Sequence, residues 1–419
     1  MSTRKGAIVT TILFKDGERL PILQDEQGTP LWNPTLYVTT QLRNASLAPS
    51  TTKAALDAIK LLNAWADSRG IDLEARLARR QFLSDIELQL LATFLRTRAA
   101  TAELNNRPLS LARYASRVRA APGAARTQVD PLTAYNRITA VASYLDWLAK
   151  YLLEREAKGV DEAASQAIAL MGERLKGKRG RKRKSSISAR MGLDEPQKSL
   201  LDEMLGAGSA VNPFQPEVQT RNAVILDLLD LGLRAGELLT LKVSDFDFQA
   251  NTFTVARRHG DRSDPRRSQP VVKTRDRVLP ITDELARRIL GYVWTERKSC
   301  PASRRHEFLL VTHKLGPHHG RPMSYQALSK AFAKLRNAAH GRLDGLSPHV
   351  IRHTANDRFS RQMESQGTPP AQEEKMRSYI MGWREGSGSA ATYTRRHTQR
   401  TAMEASLRLQ KSKRNRGPA

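Results

Sequence analysis

The sequence predicts a mainly α-helical protein with a small β-sheet, arranged as two domains behind a short β-rich N-terminal segment. Apolar residues recur at helical spacing from about residue 50 to 177 and again from 192 to the end. Short runs with strand character occur near the N-terminus and within residues 252–281. A strongly basic run at residues 174–184 separates the two helical parts, and this break predicts the domain boundary.

The first 45 residues are predicted to form a β-rich segment, and the sequence does not indicate its role. Residues 8–14 are rich in β-branched side chains, Asp16-Gly17 is a hairpin-turn signal, and residues 19–23 fit the returning strand. Residues 36–42 are predicted to form a third strand. Because acidic and basic residues nearly balance here, we expect the segment to bind no polyanion strongly by itself.

Residues 50–172 are predicted to form a helical bundle. One apolar stripe runs along residues 51–68, and another follows the helix that Asp130-Pro131 opens. The first stripe consists of Leu56, Ile59, Leu62 and Trp65. Ser84 to Glu87 has the pattern of a capping box, which predicts a helix start. Four arginines are expected on exposed faces, either solvated or in contact with phosphate: Arg113, Arg117, Arg119 and Arg137.

The charge of the chain predicts a polyanionic partner. The 419 residues carry a formal net charge of +27, and the pI is near 10.6. Nucleic acid is the leading candidate, because the sequence has no apolar run of membrane-spanning length and no lipid-anchoring motif. Residues 1–7 lack the apolar stretch of a secretory signal, so a cytoplasmic location is expected. The single cysteine, Cys300, excludes an internal disulfide and argues against a cysteine-based metal site.

The basic run predicts an extended linker between the domains, which we place at residues 173–191. Eight of the eleven residues from 174 to 184 are Lys or Arg, and such a run repels itself. Two interpretations remain open: a clamp that follows the DNA backbone, which we favour, and a solvated tether. The residues expected to contact phosphate are Lys178, Arg179, Arg181, Lys182, Arg183 and Lys184.

The second domain, residues 192–419, is predicted to combine helices with a small sheet. Asp194 opens a helix that runs to Leu205, and a second, strongly apolar helix covers residues 221–231. Strands are predicted at residues 252–256 and 277–281, and helices from residue 282 to the end.

Three motifs in this domain point to chemistry at a phosphodiester. Gly232 to Leu239 places Arg234 at a turn or helix end, and Ser347 to Thr354 places His349 and Arg352 on one helix face. Tyr393 follows among arginines. Two arginines, a histidine and a tyrosine suit phosphodiester cleavage by a phenol nucleophile without a metal. A tyrosine near a basic C-terminus is usually a surface residue, so this interpretation depends on the motifs occurring together.

These motifs, in this order, resemble those of the tyrosine recombinase, or phage integrase, family. The resemblance covers residues 192–400 well, residues 50–150 more weakly, and residues 1–45 not at all. It implies a two-domain DNA clamp built from a helical core-binding domain and a catalytic domain. It also implies a site-specific recombinase that breaks and rejoins DNA through a 3′-phosphotyrosyl intermediate and a Holliday junction. That chemistry needs no metal, ATP or other cofactor.

The resemblance assigns phosphate binding to matched positions. Arg234 and Arg352 would bind the non-bridging oxygens of the scissile phosphate, and Glu237 would hold Arg234 in place. The chain has Gly382-Trp383 where the family usually has a histidine after the glycine. The indole N–H of Trp383 can still donate to a phosphate oxygen.

The resemblance also assigns the proton transfers. Lys273 would protonate the leaving 5′ oxygen, with Lys242 and Arg275 as nearby basic alternatives. His349 would assist proton transfer at Tyr393, which attacks phosphorus. His353 would support the site, and Tyr379, the nearest alternative nucleophile, is predicted to lie in the core because its neighbours are apolar.

The partners that the resemblance implies are double-stranded DNA and further copies of the chain, four of them when two sites are joined. The helical part near residues 398–410 would dock on a neighbouring protomer, and accessory proteins or partner recombinases fit the same scheme. Two alternatives stay open: a non-catalytic DNA-binding regulator with this fold, and a type IB topoisomerase. No metal site is expected at His306, His313, His318 and His319, which lack consistent ligand spacing.

Overall fold

The computed structural model describes residues 7–45, 47–98, 128–156, 159–180, 192–206, 208–258, 260–386 and 402–410. The chain divides into two compact units, residues 1–186 and 187–419. In the described part, helices predominate and the named strands form two small antiparallel sheets. The predicted fold class, mainly α with a small β component, is confirmed.

The first unit begins with the predicted hairpin. Strands β1 (Ile8–Leu13) and β2 (Arg19–Gln24) pair antiparallel, and Gly17 adopts a φ of 91° in the turn between them. The predicted third strand at residues 36–42 is wrong. Helix α1 (Trp32–Tyr37) instead continues into a π-helical segment, Val38–Arg43.

The helix replaces the strand because of tertiary packing. The Tyr37 ring lies 5.2 Å from the ring of Tyr144 and 5.2 Å from that of Trp147. Val38 is fully buried, so the helical turn places two successive side chains into the core of the unit. The β propensity of this stretch is a weaker preference than that burial.

Five further elements complete the first unit. They are α2 (Pro49–Asp67), α3 (Leu73–Ala78), α4 (Asp85–Leu95), α5 (Pro131–Arg155) and α6 (Glu162–Gly177). The predicted stripe on α2 is fully buried, and the predicted capping box of α4 is present with both of its hydrogen bonds. Asp130 caps α5 by accepting from the backbone N–H groups of Leu132 and Thr133.

The start of the basic run belongs to this folded unit, so the prediction that the linker begins at residue 173 is wrong: residues 173–177 are helical. Helix α6 extends through Gly177, and Leu175 is fully buried, because one apolar residue in phase with the helix suffices to attach that turn to the core. Lys178 Nζ lies 3.0 Å from Asp85 Oδ1, and the Arg179 guanidinium lies 4.8 Å from the Tyr135 ring centroid. Residues 181–184 lie outside the described part of the chain.

Arg137 also departs from its predicted position on an exposed face. Its Nη1 donates to the carbonyl oxygens of Leu95 (3.1 Å) and Thr97 (2.8 Å), and burial lowers the pKa of its guanidinium. It therefore closes the C-terminal end of α4 by satisfying carbonyls that the helix leaves unpaired. Arg113, Arg117 and Arg119 lie outside the described residues.

The second unit is a helical body with a three-stranded sheet. Its helices are α7 (Glu195–Leu205), α8 (Gln219–Asp230), α9 (Ala235–Thr240), α10 (Asp283–Tyr292), α11 (Tyr325–Ala338), α12 (Pro348–Ser365) and α13 (Pro370–Met381). Strands β3 (Phe246–Asp247), β4 (Thr252–Val255) and β5 (Arg277–Pro280) lie in the order β3-β4-β5, with Val255 opposite Arg277. Residues 402–410 form a further helix. Across the described residues, each helix is too short or too polar to cross a bilayer.

Candidate active site

Four of the side chains predicted to carry chemistry border one cleft of the second unit, with a volume of about 290 Å³. They are Arg234, Lys273, His349 and Arg352, and the wall between them is completed by Ala235, Gly236, Val271, Tyr325 and Pro348. Trp383 lies beside this group, with the Arg352 guanidinium carbon 5.4 Å from its ring centroid. Tyr393 lies outside the described residues. The cleft thus joins residues from α9, the β4–β5 connection, α11 and α12.

A glycine turn sets the position of Arg234. Gly232 adopts a φ of 86°, and a Cβ there would lie 2.6 Å from Met381 Cε, so the turn needs glycine for conformation and for space. Arg234 then caps α9. Its backbone N–H donates to Glu237 Oε2 at 2.9 Å, and its Nη1 donates to Glu237 Oε1 at 3.3 Å.

Glu237 is the fully buried charge that holds the site together. Its Oε1 accepts from Thr274 Oγ1 at 2.6 Å, and its Oε2 accepts from Arg277 Nη2 at 2.9 Å. Arg352 Nη1 lies 3.8 Å from the same Oε2. Burial alone would raise the pKa of this carboxyl, but Arg277 and Arg352, with the hydrogen bonds from Thr274 and Arg234, hold it below its usual value. The ionised carboxylate therefore balances cations from three segments of the chain.

Arg352 is anchored by backbone carbonyls as well as by Glu237. Its Nη1 donates to Gly232 O, and its Nη2 donates to Met381 O at 3.2 Å. The side chain is 1% exposed, although it borders the cleft. Fixed guanidinium groups need no reorganisation when negative charge develops beside them, which is the condition for electrostatic stabilisation of a transition state.

The two histidines of α12 lie one turn apart on the same face. Their rings are 4.3 Å apart at an interplanar angle of 71°, His349 being exposed at the cleft and His353 buried behind it. The structure therefore presents His349 to a ligand in the cleft, while His353 packs against it.

Lys273 differs from the two basic alternatives beside it. It is exposed at the cleft, and within the described residues its ammonium makes no ion pair. Lys242 Nζ is instead held by Asp261 Oδ2 and Ser263 Oγ, each at 2.9 Å. Arg275 is exposed and fixed through its backbone N–H, which donates to Gly382 O at 3.0 Å. Lys273 is the cation of this segment that is placed to meet a substrate.

The end of α13 brings Trp383 to the site. Gly382 adopts a φ of 64°, and a Cβ there would lie 2.6 Å from Arg277 Nη1 and 2.8 Å from Thr274 Cβ. Trp383 follows as a buried side chain, 7% exposed. The prediction that Tyr379 lies in the core is wrong: it is 61% exposed, because the buried face of α13 is occupied by Arg377, Ser378 and Met381.

Sequence reasoning missed three residues of this site: Thr274, Arg277 and Tyr325. The alternation of strand β5 could have indicated that Arg277 is buried. In β5, Arg277 and Leu279 are buried while Val278 and Pro280 are exposed, so the arginine occupies the inward phase of an alternating strand. A charge in that phase requires a buried partner of opposite sign, which is Glu237.

Two of the four scattered histidines, His306 and His313, are engaged by other groups of the protein. His313 Nε2 lies 3.3 Å from Tyr292 Oη, its Nδ1 lies 3.7 Å from Cys300 Sγ, and burial lowers the pKa of its imidazole to about 4. His306 Nε2 lies 2.9 Å from Gly320 O. Within the described ranges, no group of three or more His, Cys, Asp or Glu side chains is arranged to hold a metal ion.

The substitution Glu237→Gln is expected to lower the free energy of unfolding by about 3–5 kcal/mol at pH 7, because it leaves buried guanidinium groups without their counter-charge. The pKa of Glu237 is lower in the folded chain, so its carboxylate stabilises the fold above the usual pKa of 4.5 and this contribution is lost as the pH falls through the folded value. Urea unfolding from pH 7 to pH 3 measures both effects.

The matched control is Glu284→Gln, which removes an exposed carboxylate paired with Arg288. That change is expected to cost less than about 1 kcal/mol. Equal stability losses in the two variants would contradict the central role of Glu237.

Comparison with known proteins gives one family match. Residues 202–400 match the family model described as "Phage integrase family". The comparison with curated proteins gave no match. Similar solved structures include the Tn1549 transposon integrase in complex with circular intermediate DNA, at 18% identity and a TM-score of 0.39, covering 77% of this chain and 93% of that one. The XerH site-specific recombinase bound to difH substrate shows 13% identity and a TM-score of 0.37, covering 79% and 95%. XerA recombinase shows 15% identity and a TM-score of 0.31, covering 76% and 93%.

Proposed function

We propose that this protein is the site-specific DNA recombinase, or integrase, of a mobile element, because residues 202–400 match the model of the phage integrase family. It cuts DNA through a 3′-phosphotyrosyl intermediate, passes through a Holliday junction and rejoins the strands without metal or ATP. The observation that carries the proposal is the convergence of Arg234, Lys273, His349 and Arg352 on one cleft.

The cleft suits a phosphodiester because its charges match those of the reaction. As the tyrosine oxygen approaches phosphorus, negative charge grows on the non-bridging oxygens. Arg234 and Arg352 supply planar donors for those oxygens, and Glu237 fixes both guanidinium groups before the substrate arrives. Side-chain cations thus supply the positive charge that other nucleases take from metal ions.

Each cleavage step exchanges one bond at phosphorus and moves two protons. The Tyr393 oxygen forms a bond to phosphorus as the bond from phosphorus to the 5′ oxygen breaks. His349 assists removal of the phenol proton, and Lys273 gives a proton to the departing 5′ oxygen. The phosphotyrosyl bond keeps the energy of the phosphodiester, so a 5′ hydroxyl from a second duplex reverses the step without ATP.

The partner in this proposal is double-stranded DNA, and the excess of 69 Lys and Arg over 42 Asp and Glu fits it. By family resemblance, residues 50–172 and the catalytic domain close around the duplex as a clamp. We place the protein in the cytoplasm, on the nucleoid when it is bound to DNA.

Assembly into a tetramer is proposed to use the helix at residues 402–410. All nine of its residues are exposed, and they include Met403 (71%), Leu407 (56%) and Leu409 (69%). Three exposed apolar side chains on one short helix suit docking on a neighbouring protomer better than a solvated terminus. Accessory proteins or partner recombinases would act during this assembly of protomers on DNA.

Replacing Arg181, Lys182, Arg183 and Lys184 together by glutamine is expected to weaken binding to every DNA sequence. Each lost phosphate contact should reduce the slope of log K against log salt by roughly 0.9, while the preference between sequences survives. Fluorescence anisotropy at several salt concentrations measures both quantities.

The matched control replaces Lys178 and Arg179, which contact Asp85 and Tyr135 within the first unit. Because these two side chains are already engaged, their loss should change the salt slope less than loss of the four that follow. An unchanged slope in the fourfold variant would mean that the run is a tether.

Covalent trapping tests the proposed function. On a nicked substrate that loses its 5′ fragment after cleavage, the protein is expected to accumulate as a covalent adduct with the 3′ phosphate. A non-catalytic DNA-binding regulator would bind this DNA without forming the adduct. A type IB topoisomerase would form it at unrelated sequences and relax supercoiled plasmid that lacks any specific site.

A further inference from the structure

We propose that Arg266 is a positioning residue for the Lys273 ammonium, because it fastens the segment that carries this lysine to the body of the catalytic unit. The segment is the β4–β5 connection, residues 256–276. The inference rests on the proposed recombinase chemistry, in which Lys273 donates the proton to the leaving oxygen. Arg266 itself does not line the cleft.

The Arg266 guanidinium joins three parts of the fold. Its Nε and Nη2 donate to the two carboxylate oxygens of Asp264, each at 2.8 Å. Its Nη1 donates to Leu239 O at 3.0 Å and to Met323 O at 2.7 Å, and its Cζ lies 4.7 Å from the Phe308 ring centroid. Leu239 belongs to α9, and Met323 directly precedes the N-cap of α11. One side chain therefore ties the connection to the helix of Arg234 and Glu237 and to the helix that begins with Tyr325.

The ion pair between Arg266 and Asp264 is buried. The side chains of Arg266 and Asp264 are 8% and 0% exposed. An ion pair this deep is favourable only when its remaining polar atoms are also paired, and the two backbone carbonyls meet that condition. A guanidinium can make these four donations in one plane, whereas a lysine ammonium is a point charge that cannot span them.

Further contacts fix the connection on both sides of Arg266. Arg258 pairs with Asp245, and Lys242 pairs with Asp261 at 2.9 Å. Next to Lys273, Val272 is buried in the core and Thr274 donates to Glu237. The backbone that carries Lys273 is thus held before and after it, while the lysine side chain extends to the cleft. At the first turn of α9, Gly236 leaves room for Val271 O, since a Cβ there would lie 2.7 Å from that oxygen. The Arg266 contacts tie the preceding part of the connection to the C-terminal half of the same helix, at Leu239 O.

The test compares cleavage of two substrates by the variant Arg266→Lys. One substrate has the normal 5′ bridging oxygen, and the other has sulfur there, which leaves as a thiolate without a proton. A displacement of about 1 Å at a reacting group costs on the order of 10²-fold in rate. We therefore expect cleavage of the oxygen substrate to slow by at least about tenfold, and cleavage of the sulfur substrate to stay near the wild-type rate.

Two further variants keep the test decisive. Arg267→Lys makes the same change at the exposed neighbouring position and is expected to affect both substrates equally, if at all. The double variant Arg266→Met, Asp264→Leu replaces the ion pair by apolar groups of similar volume, which proteins tolerate well, and it should repeat the selective slowing. Thermal unfolding followed by circular dichroism verifies that each variant is folded.

The variant Lys273→Ala shows how the two substrates respond when the proposed proton donor itself is absent. If sulfur rescues Lys273→Ala but Arg266→Lys slows both substrates equally or neither of them, the positioning role is wrong while the proposed function stands. If sulfur does not rescue Lys273→Ala, Lys273 is not the proton donor and the inference falls with that assignment. If the wild-type protein forms no adduct, the proposed function itself fails.

Discussion

The variant Tyr393→Phe is expected to reduce covalent adduct formation to background while its Kd for DNA stays within about threefold of the wild type, or ~0.7 kcal/mol. The change removes one oxygen atom, which is the proposed nucleophile, and leaves the charge of the chain intact. Adducts are measured by denaturing gel electrophoresis on the nicked substrate, and binding is measured with an intact duplex.

Two other tyrosines supply matched controls. Tyr379 is the nearest tyrosine in sequence and is exposed, and Tyr325 lines the cleft itself. Their phenylalanine variants are expected to keep adduct formation. Adducts that persist in Tyr393→Phe and disappear in one of the controls would move the nucleophile to that position.

The variant Lys273→Ala is expected to slow cleavage of normal DNA by about 10²–10⁴-fold, which is the usual contribution of a positioned general acid. Cleavage of the substrate with a 5′ bridging sulfur is expected to recover to within about tenfold of the wild type, because its leaving group needs no proton. Single-turnover cleavage rates of the variant and the wild type, measured on both substrates, give the two slowing factors.

Arg275→Ala is the control for this prediction, since Arg275 is also exposed and lies two residues further along the same segment. It should slow the two substrates to a similar degree, through weaker DNA binding. Selective rescue of Arg275→Ala, with none for Lys273→Ala, would transfer the general-acid role.

Where local preferences and burial agree, the sequence predicts the fold well. On α2 the apolar stripe from Leu56 to Trp65 has helical spacing, and all four of its members are fully buried. The strand prediction at residues 36–42 is wrong because local preference and burial disagree there. Leu36, Tyr37 and Val38 favour a strand locally, but the contacts of Tyr37 with Tyr144 and Trp147 lie more than a hundred residues away in sequence. No local pattern reports such a contact.

The same limit separates the predicted part of the site from the missed part. Arg234, His349 and Arg352 are predictable because each belongs to a short motif with a chemical reason. Glu237 was predicted to hold Arg234, yet its other partners, Thr274 and Arg277, come from the end of the β4–β5 connection and the start of β5. The position of this segment beside α9 is not encoded in local spacing. The same holds for Arg266, whose acceptors are backbone carbonyls of Leu239 and Met323. Any residue can supply a carbonyl, so no side-chain pattern marks such a partner.

The buried carboxylate of Glu237 has a consequence for how the catalytic domain folds. Its partners Arg277 and Arg352 follow it by 40 and 115 positions, so both pairings are long-range. A partly folded chain that has formed α9 but not docked β5 and α12 must either leave this carboxylate in water or bury it uncompensated. Formation of the cleft is therefore coupled to the docking of β5 and α12, and contacts of this separation form slowly. During synthesis, a chain that ends before Arg352 therefore lacks both this counter-charge for Glu237 and the assembled cleft.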